Sequence, residues 1–566
     1  MTTSPTFLRL PVAAAAALSL SFATTSPLLA QATTAAAPAN TSPHVRIETV
    51  GPDGWRMRLG PTNLGSLLES AQGRELWQPQ VMPLLGFWQT IAGGEQPFAA
   101  AKERLLGYAG RVQFAAWVGK GSIDHTGVVR LALTLEADGR TDMRALATDL
   151  RQLQQQATGE WQKLDLAGEK LEVLRDGDDT MTAPQLVGDH IVVAMASESA
   201  IAEAFAAAKA LLAGATGKPP APNTPAMRVD VDVKALVAKT LAEGSADDKT
   251  AVRVFGLDSL QQVQLSLGTA GPHVQVELAQ HFAPAPAGFF AAFCPPVQGV
   301  PDLRGLATAQ GTWRIGHFDW SALFTTAIDY IQQISGLAAG DVRQDMKEEL
   351  GLDVIDDLTA HMGTEIAVQG AGLRDFDRAD DVAWALAVRL RDAAKFEASL
   401  LKLLEHGKPM MTLAETKTID GVECRRYGLL GYGLWLAVGH GIGFALGGAE
   451  AEERLTAMLT AARQATTKDA AKPSEPKSAF PDLAKHLPAG TNCEARGDLA
   501  SVFAVPTEMW WMLLREVVPI PRPYLAADSD EKTREQTEAL LRQHNLAVVR
   551  TATGYAAGVW RWRLYW

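Results

Sequence analysis

Cysteine is nearly absent from the 566 residues: Cys294, Cys424 and Cys493 are the whole complement. Three is an odd number, so a bridge within the chain leaves at least one thiol over, and so sparse a set excludes the dense disulfide framework of small secreted domains. Cys424 lies in a strand-like run, flanked by arginine on one side, and is expected to pack as a small hydrophobe. A bridge between Cys294 and Cys493 stays open, because spacing in the chain says nothing of distance in space. Basic charge is short as well. The 52 lysines and arginines face 64 acidic residues, for a net charge of −12, and no concentrated basic face of the kind that phosphate backbones require stands out. Nucleic acid is therefore excluded as a partner. Beyond the first thirty residues or so, no apolar run approaches the about 18 to 20 residues of a membrane-spanning helix, which argues against a transmembrane segment.

Motifs for chemistry are missing too. The eleven histidines are scattered, with no H-E-x-x-H and no pair spaced to share a helix turn, so no metal ligands are assigned. There is no G-x-S-x-G, and Ser474-Glu475-Pro476-Lys477 matches S-x-x-K only inside a Pro- and Ala-rich stretch. The glycines from Gly428 to Gly448 precede another apolar strand where a dinucleotide fingerprint needs a helix, so they read as hairpin turns and no cofactor is expected. Acidic clusters at Asp176 to Asp179 and Asp375 to Asp381 lack the glycine and glutamate positions of a calcium loop and read as solvated loops. Catalytic residues are left unknown, since a triad is defined in space and not by local sequence.

What is present is order at a larger scale. Arg9, the apolar run Leu10 to Ala23 and the small-residue pattern Ala30-Gln31-Ala32 form a secretory signal with cleavage expected after Ala32. That places the mature chain in the periplasm or outside the cell. Behind the leader the chain reads twice. Gly110-Arg111-Val112-Gln113-Phe114-Ala115 opens a segment echoed from Gly363-Thr364-Glu365-Ile366-Ala367-Val368. In each copy an alternating strand follows (Val128 to Leu135; Val382 to Leu390). Next comes a helix with an apolar stripe, Met143, Leu146, Leu150 and Leu153 in one and Phe396, Leu400, Leu403 and Leu404 in the other. Gly168 to Leu174 answers Gly421 to Tyr427. The closing hairpins, Val187-Gly188-Asp189-His190-Ile191 and Val438-Gly439-His440-Gly441-Ile442, carry the residues that tight turns need. A repeat of this length is a duplicated supersecondary unit.

The domains expected are a signal peptide at 1–32, a low-complexity lead-in at 33–43, a first α+β unit at 44–225 and a middle strand-helix segment at 226–350. A second α+β unit follows at 351–466, then a linker at 467–478 and a C-terminal strand-helix-strand segment at 479–566. The fold class is α+β: two duplicated units of mostly antiparallel sheet with helices packed on one face, plus a C-terminal α/β segment. Gly214 to Pro225, Ala283 to Gly299 and Thr467 to Lys477 lack periodicity and read as exposed connections. Asn63, Asp232, Asp319 and Asp498 each stand before an apolar-x-x-apolar run, and are expected to cap helices and not to catalyse.

Leu350-Gly351-Leu352-Asp353, Asp356-Asp357-Leu358 and Gly363-Thr364-Glu365-Ile366-Ala367 resemble the signature stretch of an exported bacterial family, domain of unknown function 3352. The resemblance implies an exported protein and transfers no catalytic residue. Fourteen tryptophans, including Trp77, Trp88, Trp510, Trp511 and the alternating Trp560, Trp562 and Trp566, suit binding surfaces as well as cores. A terminal aromatic strand also closes outer-membrane barrels, but a barrel needs many strands in succession, and helices interrupt these. The functional expectation is an exported, non-enzymatic protein that binds a ligand, an envelope component or a protein partner. The alternative is a hydrolase with a dispersed active site.

Overall fold

The structure, a computed structural model, describes residues 42–566 apart from 72–102, 119–128, 159–160, 167–168, 177–178, 214, 222, 304–305, 307–311, 336–340, 371–382, 407–410, 430–431, 449, 469–479 and 499–538. Residues 42–244 with 262–278 form one compact unit, and 245–261, 279–498 and 539–566 form another.

The first unit contains, in chain order, β1 (Val45–Val50), β2 (Arg111–Val118), β3 (Val129–Leu135), β4 (Gln162–Leu166), β5 (Glu169–Asp176), β6 (Asp179–Thr182), β7 (Gln185–Val187), β8 (His190–Ser197), β9 (Met227–Asp232) and most of β10 (Leu260–Ala270). They pair antiparallel in the order β10-β9-β1-β2-β3-β8-β6-β5-β4, with β7 sharing the β6 side of β8. Its helices are α1 (Pro52–Leu59), α2 (Asn63–Glu69), α3 (Met143–Thr158), α4 (Ile201–Leu211) and α5 (Val233–Glu243).

β11 (His273–Phe282) is divided between the units after Leu278, and the second unit contains β12 (Thr312–His317), β13 (Met362–Gly370), β14 (Trp384–Leu390), β15 (Met411–Ile419), β16 (Val422–Leu429), β17 (Tyr432–Gly439), β18 (Ile442–Gly447), β19 (Thr491–Asp498), β20 (Val548–Ala556) and β21 (Val559–Tyr565). Their antiparallel order is β21-β20-β19-β12-β13-β14-β18-β17-β16-β15. Helices α6 (Ala246–Phe255), α7 (Gly288–Phe293), α8 (Trp320–Ser335), α9 (Asp341–Leu350), α10 (Ala393–His406) and α11 (Ala451–Lys468) belong to it.

From β10 to β4 and from β20 to β15 the two orders correspond, with β17 where the first unit has β6 and β7, and β21 lies beyond that match. The duplication therefore extends beyond the segments in which the sequence echoes itself. β9 and β10 complete the first sheet and β12 opens the second, so the middle segment 226–350 is divided between them. The α+β class with duplicated antiparallel units stands. Within it, the expected single helical layer resolves into two. On one face, α4 buries Ile201, Ala204, Phe205 and Ala208 against Ala115, Trp117, Ala132, Val192 and Ala194. On the other, Met143, Leu146 and Ala147 of α3 pack with Leu135 and Ile191. The reason lies in the central strands: β3 and β8 are near-continuous apolar runs, with residues to bury on both sides, and such strands need cover on both.

Three hairpins, at Asp420-Gly421, His440-Gly441 and Ala557-Gly558, have positive φ at both central residues, the pattern whose twist matches paired strands. In the first copy Val187 pairs with His190, so the turn is Gly188-Asp189. In the second Gly439 pairs with Ile442, so the turn is His440-Gly441. The two hairpins correspond, but His190 and His440 do not: the first begins a strand and the second makes a turn.

Asp232 caps α5, accepting the amide of Ala235 at 3.0 Å, and Asp319 accepts that of Ala322 at 3.0 Å before α8. At α2 the cap is Thr62, whose hydroxyl accepts from Gly65, and Asn63 is the first helical residue. The helix expected after Asp498 lies outside the described residues. The stretch Ala283 to Gly299, read as a bare connection, contains α7. Gly256 and Gly288 make it possible: both have positive φ, and a Cβ on either would lie within 2.1 Å of a carbonyl oxygen of the other's segment. This approach brings Phe289 to 5.4 Å from Phe255, and Phe293 to 5.2 Å from Phe318.

Candidate functional site: an apolar sheet face

Strand register lines up side chains that the sequence leaves far apart. Directly paired residues share a face of the sheet, and on the α3 face of the first unit Val263, Val231, Val45, Ala116, Leu131, Met195 and Met181 follow one another across seven strands. The next row is Leu265, Val229, Ile47, Phe114, Leu133 and Val193, apolar throughout. The residues that pack with α3 are Val112, Leu133, Leu135 and Ile191, toward one end of the strands. All seven members of the first row are half-buried and keep accessible surface. A closed core would leave them none.

The opposite face of the same strands is of another character. β1, β9 and β10 present Arg46, Glu48, Arg228, Asp230, Gln264 and Ser266 there, with ion pairs at 2.5 Å between Arg46 and Glu48 and 2.8 Å between Arg228 and Asp230. Charged side chains on one face and aliphatic ones on the other describe a half-solvated antiparallel sheet. The charged face pairs its own charges, and the aliphatic face keeps accessible surface among the described residues. Where the charged face meets α4, Gln113 is buried, accepting from Arg46 at 2.7 Å and donating to Glu136 at 2.5 Å. That network is structural in character, since each of its bonds holds one element of the unit to another.

The residues singled out in the sequence mostly hold the fold. Asp353 of the signature stretch accepts from the amides of Ile355 and Asp356 and from Arg343 at 2.8 Å. Burial opposes its charge, but the Arg343 hydrogen bond and these two amides outweigh it and keep the carboxyl below its ordinary range. Gly351 has φ +71, and a Cβ there would meet the His406 ring at 2.4 Å. His190 accepts the amide of Ala137 through Nδ1 at 2.9 Å. Cys294, Cys424 and Cys493 are all free and buried, so the bridge between Cys294 and Cys493 is not formed, and burial pushes the Cys294 thiol up to about 12. The acidic loop Asp375 to Asp381 and the aromatic residues Trp77, Trp88, Trp510 and Trp511 lie outside the described residues. No helix among the described residues is long and apolar enough to cross a membrane. The row itself was missed. Period-two alternation is visible in β1 and β9, but only the pairing of distant strands assembles it.

No family model matches the chain, and no curated protein does. Among solved structures it is similar to crystal form IV of TP0453, at 10% identity and a TM-score of 0.22, over 44% of this chain and 79% of that one. Crystal form III of TP0453 matches at 10% identity and a TM-score of 0.22, over 45% of this chain and 83% of that one.

Proposed function

We propose that this chain is an exported, non-enzymatic binding protein that holds an apolar or amphipathic component of the cell envelope on the aliphatic face of its first sheet. One observation carries the reading: seven apolar side chains from seven strands form an unbroken, half-buried row. At about 4.8 Å per strand that row is about 29 Å wide. The hydrocarbon core of a bilayer is about 30 Å thick, so one acyl chain spans about 15 Å, and the row is long enough to hold one at full extension. Contiguous apolar surface of this kind marks a binding site more often than a solvated face. Export is supported by Arg9, the apolar run after it and Ala30-Gln31-Ala32, and kinship with the domain of unknown function 3352 family by the stretch Leu350 to Ala367.

The test uses the full chain expressed with its leader and recovered from the periplasm, where a mature form starting at Thr33 is expected. Titration with the neutral fluorophore N-phenyl-1-naphthylamine should give saturable enhancement, reversed by a total lipid extract of the envelope. Leu131→Gln and Met195→Gln should each weaken that binding about tenfold, a loss of about 1.4 kcal/mol, with unfolding midpoints unchanged. Absence of enhancement in the wild type, or equal binding by both variants, refutes the reading.

A further inference from the structure

The second sheet has a row in the same place, and at one position it carries a charge where the first row is aliphatic. Leu386 is the third residue of the seven in β14, as Leu131 is in β3. Following the register outward from it gives Leu564, Thr551, Ala495, Arg314, Val368, Leu386, Ala445 and Leu436. Val45 pairs through Ala116 to Leu131, and Arg314 pairs through Val368 to Leu386. Arg314 thus stands where the first sheet has Val45. It is exposed, and among the described residues its guanidinium makes no hydrogen bond or ion pair. β12 is anchored from its other face, where Trp313 and Ile315 are buried and Trp313 stacks on Phe480 at 5.8 Å. Arg314 is therefore not needed to hold its strand.

The row leading away from Arg314 is shaped as a lane. On one side the Trp384 indole lies over Gly447, where a Cβ would meet Nε1 at 2.6 Å; on the other Phe396 lies over Gly443, 3.3 Å from a Cβ there. Between them the floor is Val368, Leu386, Ala445 and Leu436, of which Val368 is 38% exposed, beside a Trp384 that is 39% exposed. From β12 to β17 the lane crosses four strand spacings, about 19 Å. That suits one acyl chain of about 15 Å. The two flanking rows are four residues apart along each strand, about 14 Å, and each holds a ring, which leaves width for a single chain.

We propose that this lane binds a long-chain fatty-acid carboxylate, the carboxylate paired with the Arg314 guanidinium and the chain lying over Val368, Leu386, Ala445 and Leu436. The proposal rests on the reading that the aliphatic faces bind envelope amphiphiles, and adds the charge and chain number of the ligand. A planar guanidinium takes a carboxylate through two parallel hydrogen bonds, and an unpaired cation beside aliphatic side chains is complementary to a molecule with one anionic end.

The experiment titrates palmitate and the neutral hexadecanol into the full mature chain carrying Leu131→Gln, which weakens the first face about tenfold and so separates its contribution. Arg314→Val, which installs the residue of the first copy, should weaken palmitate at least about tenfold and leave hexadecanol unchanged. Arg314→Lys should fall between, since an ammonium keeps the charge and loses the paired geometry. Arg314→Gln serves in place of Arg314→Val if the latter shows no cooperative unfolding. Equal palmitate binding with and without Arg314 overturns the proposal, as does equal loss of palmitate and hexadecanol, or preference for two-chain phosphatidylglycerol over palmitate. If N-phenyl-1-naphthylamine binds the wild type but palmitate does not bind this lane, the broader reading survives and this one falls. If no apolar probe binds the wild type at all, both fall.

Discussion

Replacing Arg58 should loosen a segment that the sequence presents as a free connection. Arg58 is 7% exposed in α1, and its guanidinium donates to five neutral oxygens. Nε reaches the Thr224 carbonyl at 3.1 Å and Nη1 the Gly54 carbonyl at 3.0 Å. Nη2 reaches the carbonyls of Pro220 and Ala221 at 3.1 and 2.9 Å and the Thr224 hydroxyl at 3.0 Å. Burial pulls its pKa below the ordinary arginine value, and among the described residues the charge is held by neutral dipoles. Hydrogen bonds to charged groups contribute about 1.5 to 3 kcal/mol each, but the 220–224 carbonyls regain water once the segment lifts. Counting the loss of about two such bonds, Arg58→Ala should destabilise the first unit by about 3 to 6 kcal/mol. Arg58→Lys should lose about half as much, because three donors on one nitrogen cannot span acceptors on both sides. Urea denaturation measures the midpoint, and limited digestion with a broad-specificity protease measures opening at 214–225. An Arg58→Ala protein with an unchanged midpoint and no faster cleavage there would show that the five bonds do not hold the segment.

Asp232→Ala should cost about 0.5 to 2 kcal/mol through loss of the α5 cap, while Asp232→Asn, whose amide oxygen accepts the same Ala235 hydrogen, should be nearly silent; equal loss in both variants by urea denaturation would speak for the charge and against the cap. Asp138 is buried, and although burial opposes its charge, bonds from the amides of Ala109, Thr141 and Arg140 and from the Thr141 hydroxyl outweigh it and lower its pKa. A carboxyl depressed by folding stabilises above the unfolded value of about 3.9 and loses that contribution as pH falls through the lower folded value. The stability difference between wild type and Asp138→Asn should therefore be largest near pH 7 and shrink below about pH 4, and a difference that grows with acidity would contradict this assignment.

How much of this was legible in the sequence depended on the range of the interaction that fixes each feature. Strands, the amphipathic helices and the hairpins are set by residues a few positions apart, and the echo between copies is visible for that reason. The one-position error in matching Gly188-Asp189 to Gly439-His440 arose because glycines in the two turns occupy different places, and only the pairing of Val187 with His190 and of Gly439 with Ile442 decides it. Thr62 displaced Asn63 as a cap since either side chain can accept from an N-terminal amide. The clamp of Arg58 on residues 162 to 166 positions away, the backbone approach of Gly256 to Gly288, and the aliphatic row all depend on contacts between distant segments. No local pattern announces them.

The shared sheet order also explains how the two faces came to differ without cost to the fold. In β1 the residues toward the aliphatic row are Val45 and Ile47, and those on the reverse are Arg46 and Glu48. In β12 the assignment is inverted, with Arg314 and Gly316 toward the row and Trp313 and Ile315 buried behind it. Alternation of side chains means that a strand can keep its pairing and exchange which face it buries, provided a partner waits on the new side. Phe480 is that partner in the second unit, stacked on Trp313 and itself covered by the Arg550 guanidinium at 5.6 Å. The face released from core duty is then free to carry a charge. A row that keeps accessible surface is where a cation can replace a valine while both strand neighbours, Ala495 and Val368, stay apolar, so this change of charge falls on an exposed position and not on the interior that holds the sheet together.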